Sequence, residues 1–230
     1  MEMNLRSFAA LTFDCYGTLI DWEQGILGAL APLRQESKLE LSDDDALERY
    51  AQAESRAQAG GYKRYREVLA EVARELAAYL KVDLAPATEG FLAESIADWV
   101  PFGDTVESLA KLKDHYRLAV ISNIDDDLFA LSASRLQVPF DNIITAEQVV
   151  SYKPSHNNFL RAIEVIGLPK EKILHVAQSL YHDIKPANEL GLSNVWVNRR
   201  GAKPGSGATH PATATPTLEV PDLATLVSLL

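Results

Sequence analysis

The sequence predicts an α/β protein: a Rossmann-like parallel-sheet core with an inserted α-helical cap domain. Three observations carry that expectation. Residues 8–13 form a short apolar run that stops at Asp14 and passes into Gly17 and Thr18, as a strand buried on both faces does where it meets a loop. Residues 21–99 then carry helical patterns only. From Pro101 onward helix and strand patterns alternate, the rhythm of crossover connections between parallel strands. The expected division is a core of residues 1–20 and 100–230 and a helical cap of residues 21–99.

In chain order, the run 8–13 is the first strand. Ser42, followed by Asp43, Asp44 and Asp45, has the chemistry of an N-cap with an acidic first turn. The helix it opens extends to residue 59, where Gly60 and Gly61 stop it. A second helix over 62–80 places Val68, Val72, Leu76 and Tyr79 on one face. A third over 88–99 turns Leu92, Ile96 and Trp99 inward before Pro101. In the core, helix 104–115 carries Val106, Leu109 and Leu112 on one side, and strand 118–121 ends in Ser122 and Asn123. Asp125, Asp126 and Asp127 supply negative charge to the start of a helix over 126–135. Strand 142–145 leads by a loop to Lys153 and Pro154. Helix 155–166 carries Phe159, Ile163 and Ile166 and closes at Gly167. Strand 173–177 leads to Gln178, Ser179, His182 and Asp183, helix 183–190 closes at Gly191, and strand 194–197 is the last. Residues 201–216, rich in Gly, Pro, Ala and Thr, read as a surface loop, and 221–230 as a helical tail that packs back on the core.

Composition narrows the function. With 230 residues, 47% hydrophobic and 23% charged, the chain has the make-up of a soluble globular protein with a sizeable core. Its net charge of −10 argues against nucleic acid and anionic membrane as partners, because both demand a basic face. A small anionic ligand in a local basic pocket stays compatible with that surface. The only cysteine, Cys15, cannot form an intrachain disulfide. There is no signal-peptide pattern and no apolar stretch near the roughly 20 residues that span a bilayer. The expected location is the cytoplasm.

The carboxyl ends of a parallel sheet lie along one edge. Four predicted strands end there in polar residues: Asp14 and Thr18, then Ser122 and Asn123, then Lys153, then Ser179, His182 and Asp183. This set suits nucleophilic catalysis by Asp14. A carboxylate attacks when it is positioned, partly desolvated and kept ionised. Lys153 would keep it ionised, and Thr18 with the amides of the turn would orient it. Ser122 and Asn123 would hold an anionic substrate group. Asp183 would position or deprotonate the water that hydrolyses a covalent intermediate. Cys15 should point to the opposite face of the strand end, as buried filler.

These residues also resemble a known family. Asp14-Cys15-Tyr16-Gly17-Thr18-Leu19 is similar to the first motif of the haloacid dehalogenase superfamily. Ser122-Asn123, Lys153-Pro154 and the Asp183 region resemble its second, third and fourth motifs, in order. The resemblance covers essentially the whole chain, and the helical insert looks like that superfamily's cap. Tyr16 stands where the phosphatases of the superfamily carry a second aspartate as general acid, so the chain resembles the (S)-2-haloacid dehalogenase branch. The resemblance implies hydrolysis of a short 2-haloalkanoic acid to a 2-hydroxyacid through an ester on Asp14, with halide as the second product. It implies no cofactor and no metal, Lys153 taking part of the space of the usual cation, and a homodimer. It places a halide-binding cap arginine at Arg49, in the run ERYAQAE, and an aromatic pocket residue at Tyr65, with Tyr16, Ser179 and His182 in the same pocket.

The chain departs from the branch pattern at three positions. Leu180 replaces an asparagine, His182 a tryptophan and Phe159 a tyrosine, which alters the water-handling and pocket groups. His182 has either a proton-shuttle or a packing role. Two other functions stay open: a magnesium-dependent phosphatase, against which Tyr16 argues, and a non-catalytic relative that binds a small acid or a partner, against which Asp14, Lys153 and Asp183 argue.

Overall fold

The computed structural model describes residues 3–203 and 205–230. Strand β1 (Ala10–Phe13) is followed by helices α1 (Trp22–Glu36), α2 (Asp43–Gln58), α3 (Tyr65–Leu80) and α4 (Phe91–Ser95). Then come α5 (Thr105–Lys113), β2 (Arg117–Ser122), α6 (Asp126–Leu136), β3 (Asn142–Thr145), α7 (Ala146–Val149) and α8 (His156–Ile166). The chain ends with β4 (Ile173–Ala177), α9 (Lys185–Glu189), β5 (Ser193–Val197), β6 (Leu218–Val220) and α10 (Leu223–Ser228).

The six strands form one sheet in the order β3-β2-β1-β4-β5-β6, and every neighbouring pair is parallel. The chain winds to one side of β1 and then to the other, so the order reverses between β1 and β4. That reversal opens a crevice at the carboxyl ends of the strands. Phe13 is in register with Val120 on β2 and Val176 on β4, which sets Asp14 level with the ends of both neighbours. All residues of β1 and β4 are buried, as expected of strands covered on both faces. The larger apolar cluster runs from Leu11, Phe13 and Val120 of the sheet into Ile26, Tyr50 and Val68 of the helical insert. A smaller one, with Phe159 and Ile166, fills the other face under α8.

Several elements differ from the sequence-based expectation. Helix α1 is not singled out by pattern, yet it buries Trp22, Ile26 and Leu30 at helical spacing. Its Gly25 lets the Trp99 ring lie directly against the backbone, since a Cβ there would stand 2.5 Å from the ring. Helix α2 begins as expected, with Ser42 Oγ accepting from the Asp45 amide at 3.1 Å. Helix α3 begins later than expected, at Tyr65. The reason is Asp125, whose buried carboxylate accepts from the Tyr65 and Arg66 amides at 2.8 and 3.1 Å. The acidic run therefore does more than charge the start of α6: Asp125 caps a helix of the insert, while Arg64 and Arg66 pair with Asp127. Tyr79 is also displaced from its predicted place. It is 37% exposed, and the inward face of α3 is Val68, Val72 and Leu76. Residues 88–99 form α4 and a tight turn, Ile96–Asp98, with Leu92, Ile96 and Trp99 buried as expected. Strand β6 is an addition, three residues at the sheet edge, too short to show a period. Among the described residues no helix is long and apolar enough to cross a membrane.

Candidate active site

Asp14 follows β1 directly, and its amide continues the sheet by donating to Val176 O at 3.1 Å. The chain then folds back tightly: the amides of Leu19 and Ile20 both donate to Cys15 O, at 2.7 and 3.0 Å. Gly17 makes the turn at φ +89°, a conformation other residues adopt only with strain. A side chain there would also meet Trp22 Nε1, 2.8 Å from an ideal Cβ. The fold-back returns Thr18 to the start of the turn. Its hydroxyl donates to Asp14 Oδ2 at 2.7 Å and accepts from the Gln178 amide at 2.9 Å.

Lys153 arrives from the loop after α7 and is buried. Its Nζ donates to Asp14 Oδ1 at 2.8 Å, Asp183 Oδ1 at 2.7 Å and Ile121 O at 2.9 Å, which uses all three N–H bonds of the ammonium. Asn123 fixes the main chain on either side of this side chain: it donates to Lys153 O at 3.0 Å and accepts from Lys153 N at 2.7 Å. Behind Asp183, His175 of β4 reaches the same Oδ1 from Nε2 at 3.0 Å, and its Nδ1 faces the Thr12 hydroxyl at 2.9 Å. With Asp183 ionised, the contact needs a hydrogen on Nε2.

The charges follow from this wiring. Burial works against the Lys153 ammonium, but Asp14 and Asp183 outweigh it and hold its pKa above the ordinary lysine value. Burial also acts on Asp183, yet Lys153 and His175 pull its pKa down to about 2. Asp14 moves the other way. Burial pushes its carboxyl above the usual range, Lys153 opposes this, and Asp183 adds to it. Burial pushes the Cys15 thiol up as well, in keeping with an inert buried side chain.

Over this cluster lies a small space of about 30 Å³. The sheet side of its wall includes Asp14, Tyr16, Ser122, Asn123, Lys153, Gln178, Ser179, His182 and Asp183, and the insert adds Trp22, Glu54 and Tyr65. A larger chamber of about 250 Å³ shares Glu54, Lys153 and His182 with it. A buried carboxylate held by an ammonium and a hydroxyl, facing a small space, is equipped for nucleophilic attack on a small molecule.

A model of the haloacid dehalogenase-like hydrolases matches residues 8–191. The chain belongs to the haloacid dehalogenase-like hydrolases. It is 27% identical over 233 residues to an (S)-2-haloacid dehalogenase of Pseudomonas fluorescens, covering 98% of each chain. It is 27% identical over 197 residues to one of Pseudomonas sp. (strain YL), covering 83% of each. The fold is shared with a solved structure of an L-2-haloacid dehalogenase from Xanthobacter autotrophicus, at a TM-score of 0.80 and 19% identity over 96% of this chain and 98% of that one.

In this hydrolase the structure brings together Asp14, Thr18, Lys153, Asp183, Ser122, Asn123, Ser179, His182, Tyr16 and Tyr65. Their roles in the geometry are not uniform. Tyr16 lends its ring to the wall, but its hydroxyl turns away to Ser132 Oγ at 2.8 Å. Ser122 Oγ is buried with no hydrogen-bond partner among the described residues. Ser179 Oγ accepts from the His182 amide at 2.9 Å and meets Thr209 Oγ1 at 3.1 Å, so Thr209 closes one side of the site. Loss of solvation pushes His182 down to about 4, against the pull of Asp183, and leaves the imidazole neutral at pH 7.

Arg49 is the exception and requires a correction. It is not part of the wall. Its guanidinium stacks over the Tyr79 ring of α3, 3.5 Å from the centroid, and its Nε is buried with no hydrogen-bond partner among the described residues. Tyr50 points inward, and the next position back is turned by about 100° around the helix. The insert instead presents Glu54. This side chain is 6% exposed, and Tyr65 OH donates to its Oε1 at 2.6 Å, with Tyr50 OH 3.1 Å from Tyr65 OH. Burial pushes its carboxyl up to about 7. Sequence reasoning missed Glu54, although it falls on the helical phase of Leu47, Tyr50 and Ala57, where a carboxylate is out of place. It also missed His175, whose signal is a polar side chain in the middle of the apolar run ILHVA.

No group of three or more His, Cys, Asp or Glu side chains among the described residues is arranged to hold a metal ion. Between Asp14 and Asp183 stands the Lys153 ammonium.

Proposed function

We propose that this hydrolase cleaves the carbon–halogen bond of a short 2-haloalkanoate through an ester on Asp14. The observation that carries this is the pairing of Asp14 with Lys153 and Thr18 while Tyr16, two residues on, turns its hydroxyl to Ser132. The nucleophile is held, and the position two residues on offers no carboxyl for a leaving group. A halide needs none, whereas an alkoxide does. The relatives named (S)-2-haloacid dehalogenase support the same substrate class.

In the first step an Asp14 Oδ attacks the halogen-bearing carbon. The new C–O bond forms as the carbon–halogen bond breaks, and the electron pair leaves with the halide. In the second step water attacks the ester carbonyl of Asp14, and the 2-hydroxyacid departs with the original carboxylate oxygen. Asp183 Oδ2, buried with no partner among the described residues, orients that water. The Ser122 hydroxyl binds the substrate carboxylate, and Asn123 positions Lys153. The Lys153 ammonium neutralises the two carboxylates, and the reaction runs without a metal. Residues 21–99 act as the cap and 1–20 with 100–230 as the core, in a cytoplasmic dimer.

Halide release from chloroacetate and 2-chloropropionate, with and without EDTA, tests this. Wild type should release halide regardless of EDTA, and Asp14→Asn should release none. A single turnover in heavy-oxygen water should label Asp14, not the product. Magnesium-dependent release of phosphate from a generic ester, with no halide release, would overturn the reading.

A further inference from the structure

Glu54 has no part in the scheme above, yet it faces the nucleophile across the cleft. We propose that Glu54, as the neutral acid, is the hydrogen-bond donor to the halide that Asp14 displaces. The inference rests on the dehalogenase reading and assigns it a leaving-group site.

Three observations lead there. In-line displacement puts the departing atom on the far side of the reacting carbon from its attacker. Asp14 attacks from the sheet, so the halide departs toward the insert, whose contributions to the wall are Trp22, Glu54 and Tyr65. The Tyr65 hydroxyl is committed to Glu54 Oε1, which leaves Oε2 to carry the proton. The second observation is charge. No arginine among the described residues lines the space, and Lys153 already serves three acceptors. An ionised Glu54 beside Asp14 and Asp183 would repel both the substrate carboxylate and the halide. The third is environment. Glu54 is faced by Tyr50 on its own helix, Tyr65 on α3, Tyr152 from the loop after α7, and Asp14, Lys153, His182 and Asp183 across the cleft, and it shares the larger chamber with Tyr181 and His210. His182 is neutral above about pH 4, and the lysine in this set is already paired with two carboxylates.

As the Asp14–carbon bond forms and the carbon–halogen bond breaks, the electron pair leaves on the halide and Glu54 keeps its proton, donating to the new anion. Fluoride accepts hydrogen bonds most strongly of the halides, so it benefits most from such a donor.

The test compares chloroacetate and fluoroacetate across pH in wild type, Glu54→Gln and Glu54→Leu. Wild-type kcat/KM should fall as pH rises through about 7, and that alkaline limb should be missing from Glu54→Gln. The fluoride-to-chloride rate ratio should drop about tenfold in Glu54→Leu, which keeps bulk but cannot donate. A limb that persists in Glu54→Gln, or an unchanged ratio in Glu54→Leu, overturns the proposal. A second readout is independent of turnover: sodium fluoride and sodium chloride binding, followed by quenching of tryptophan fluorescence, since Trp22 lines the space. Binding should be tighter below neutrality than above it, and Glu54→Gln should lose the difference. Equal binding at both pH values overturns the proposal. The expected binding shift in a protein that turns over no haloacid would sink the dehalogenase reading while upholding Glu54 as the acid of an anion site.

Discussion

Lys153 keeps two buried carboxylates at hydrogen-bond distance from one ammonium, and Asp14 and Asp183 depend on it for charge balance. Substituting Lys153→Met should leave both acids buried without a counter-charge, at a cost of about 3–5 kcal/mol in urea unfolding. The loss should shrink at low pH, where the acids protonate. Asp14→Asn keeps shape and removes one of those charges, so it should unfold at a urea concentration close to that of wild type. At this scale the sequence marks Asp14, Thr18, Lys153 and Asp183 well, because each sits at the end of an apolar run or in a short polar motif. Arg49 and Glu54 lie on one helix with nothing local to show which of them faces the cleft, and a rotation of the helix decides it.

At the scale of elements, the contact that matters most is Asp125 with the start of α3. A carboxylate from the sheet side caps a helix of the insert and so sets where Tyr65 stands over Asp14. Two orphan amides lose their acceptor in Asp125→Ala. The expected cost is about 1–2 kcal/mol in thermal denaturation, more than for Ser42→Ala, whose cap is exposed. A rise in KM should accompany it, because Tyr65 loses its anchor. Sequence pattern finds the helix but not its first residue, since the acceptor that defines it is 60 residues away.

For the whole molecule, the buried acids and the histidine give stability a shaped dependence on pH. Glu54 is raised from 4.5 to about 7, so its neutral form favours the fold. That contribution is complete below the ordinary glutamate range and is lost as pH rises through 7. His182 and Asp183 are both lowered, to about 4 and about 2. Their contributions are present above their ordinary values and are lost as pH falls through the lowered ones. Urea unfolding from pH 4.5 to above 7 should therefore show wild type losing roughly 3 kcal/mol relative to Glu54→Gln across that window. A constant difference would mean that the Glu54 carboxyl is not held neutral by burial.

The alternation of apolar runs and amphipathic segments settles the parallel sheet, the placement of the helical insert and the polar strand ends, because those features depend on period and on residues adjacent in the chain. Strand ends of one parallel sheet share an edge, so the four-residue cluster around Asp14 follows from strand assignment almost alone. The wall opposite it does not. Glu54 in place of Arg49, Asp125 at the head of α3, His175 behind Asp183 and the edge strand β6 all depend on how one element is rotated or docked against another. Rotation and docking are fixed by packing between residues far apart in the chain, and one position along a helix turns a side chain by about 100°, from the cleft to the surface.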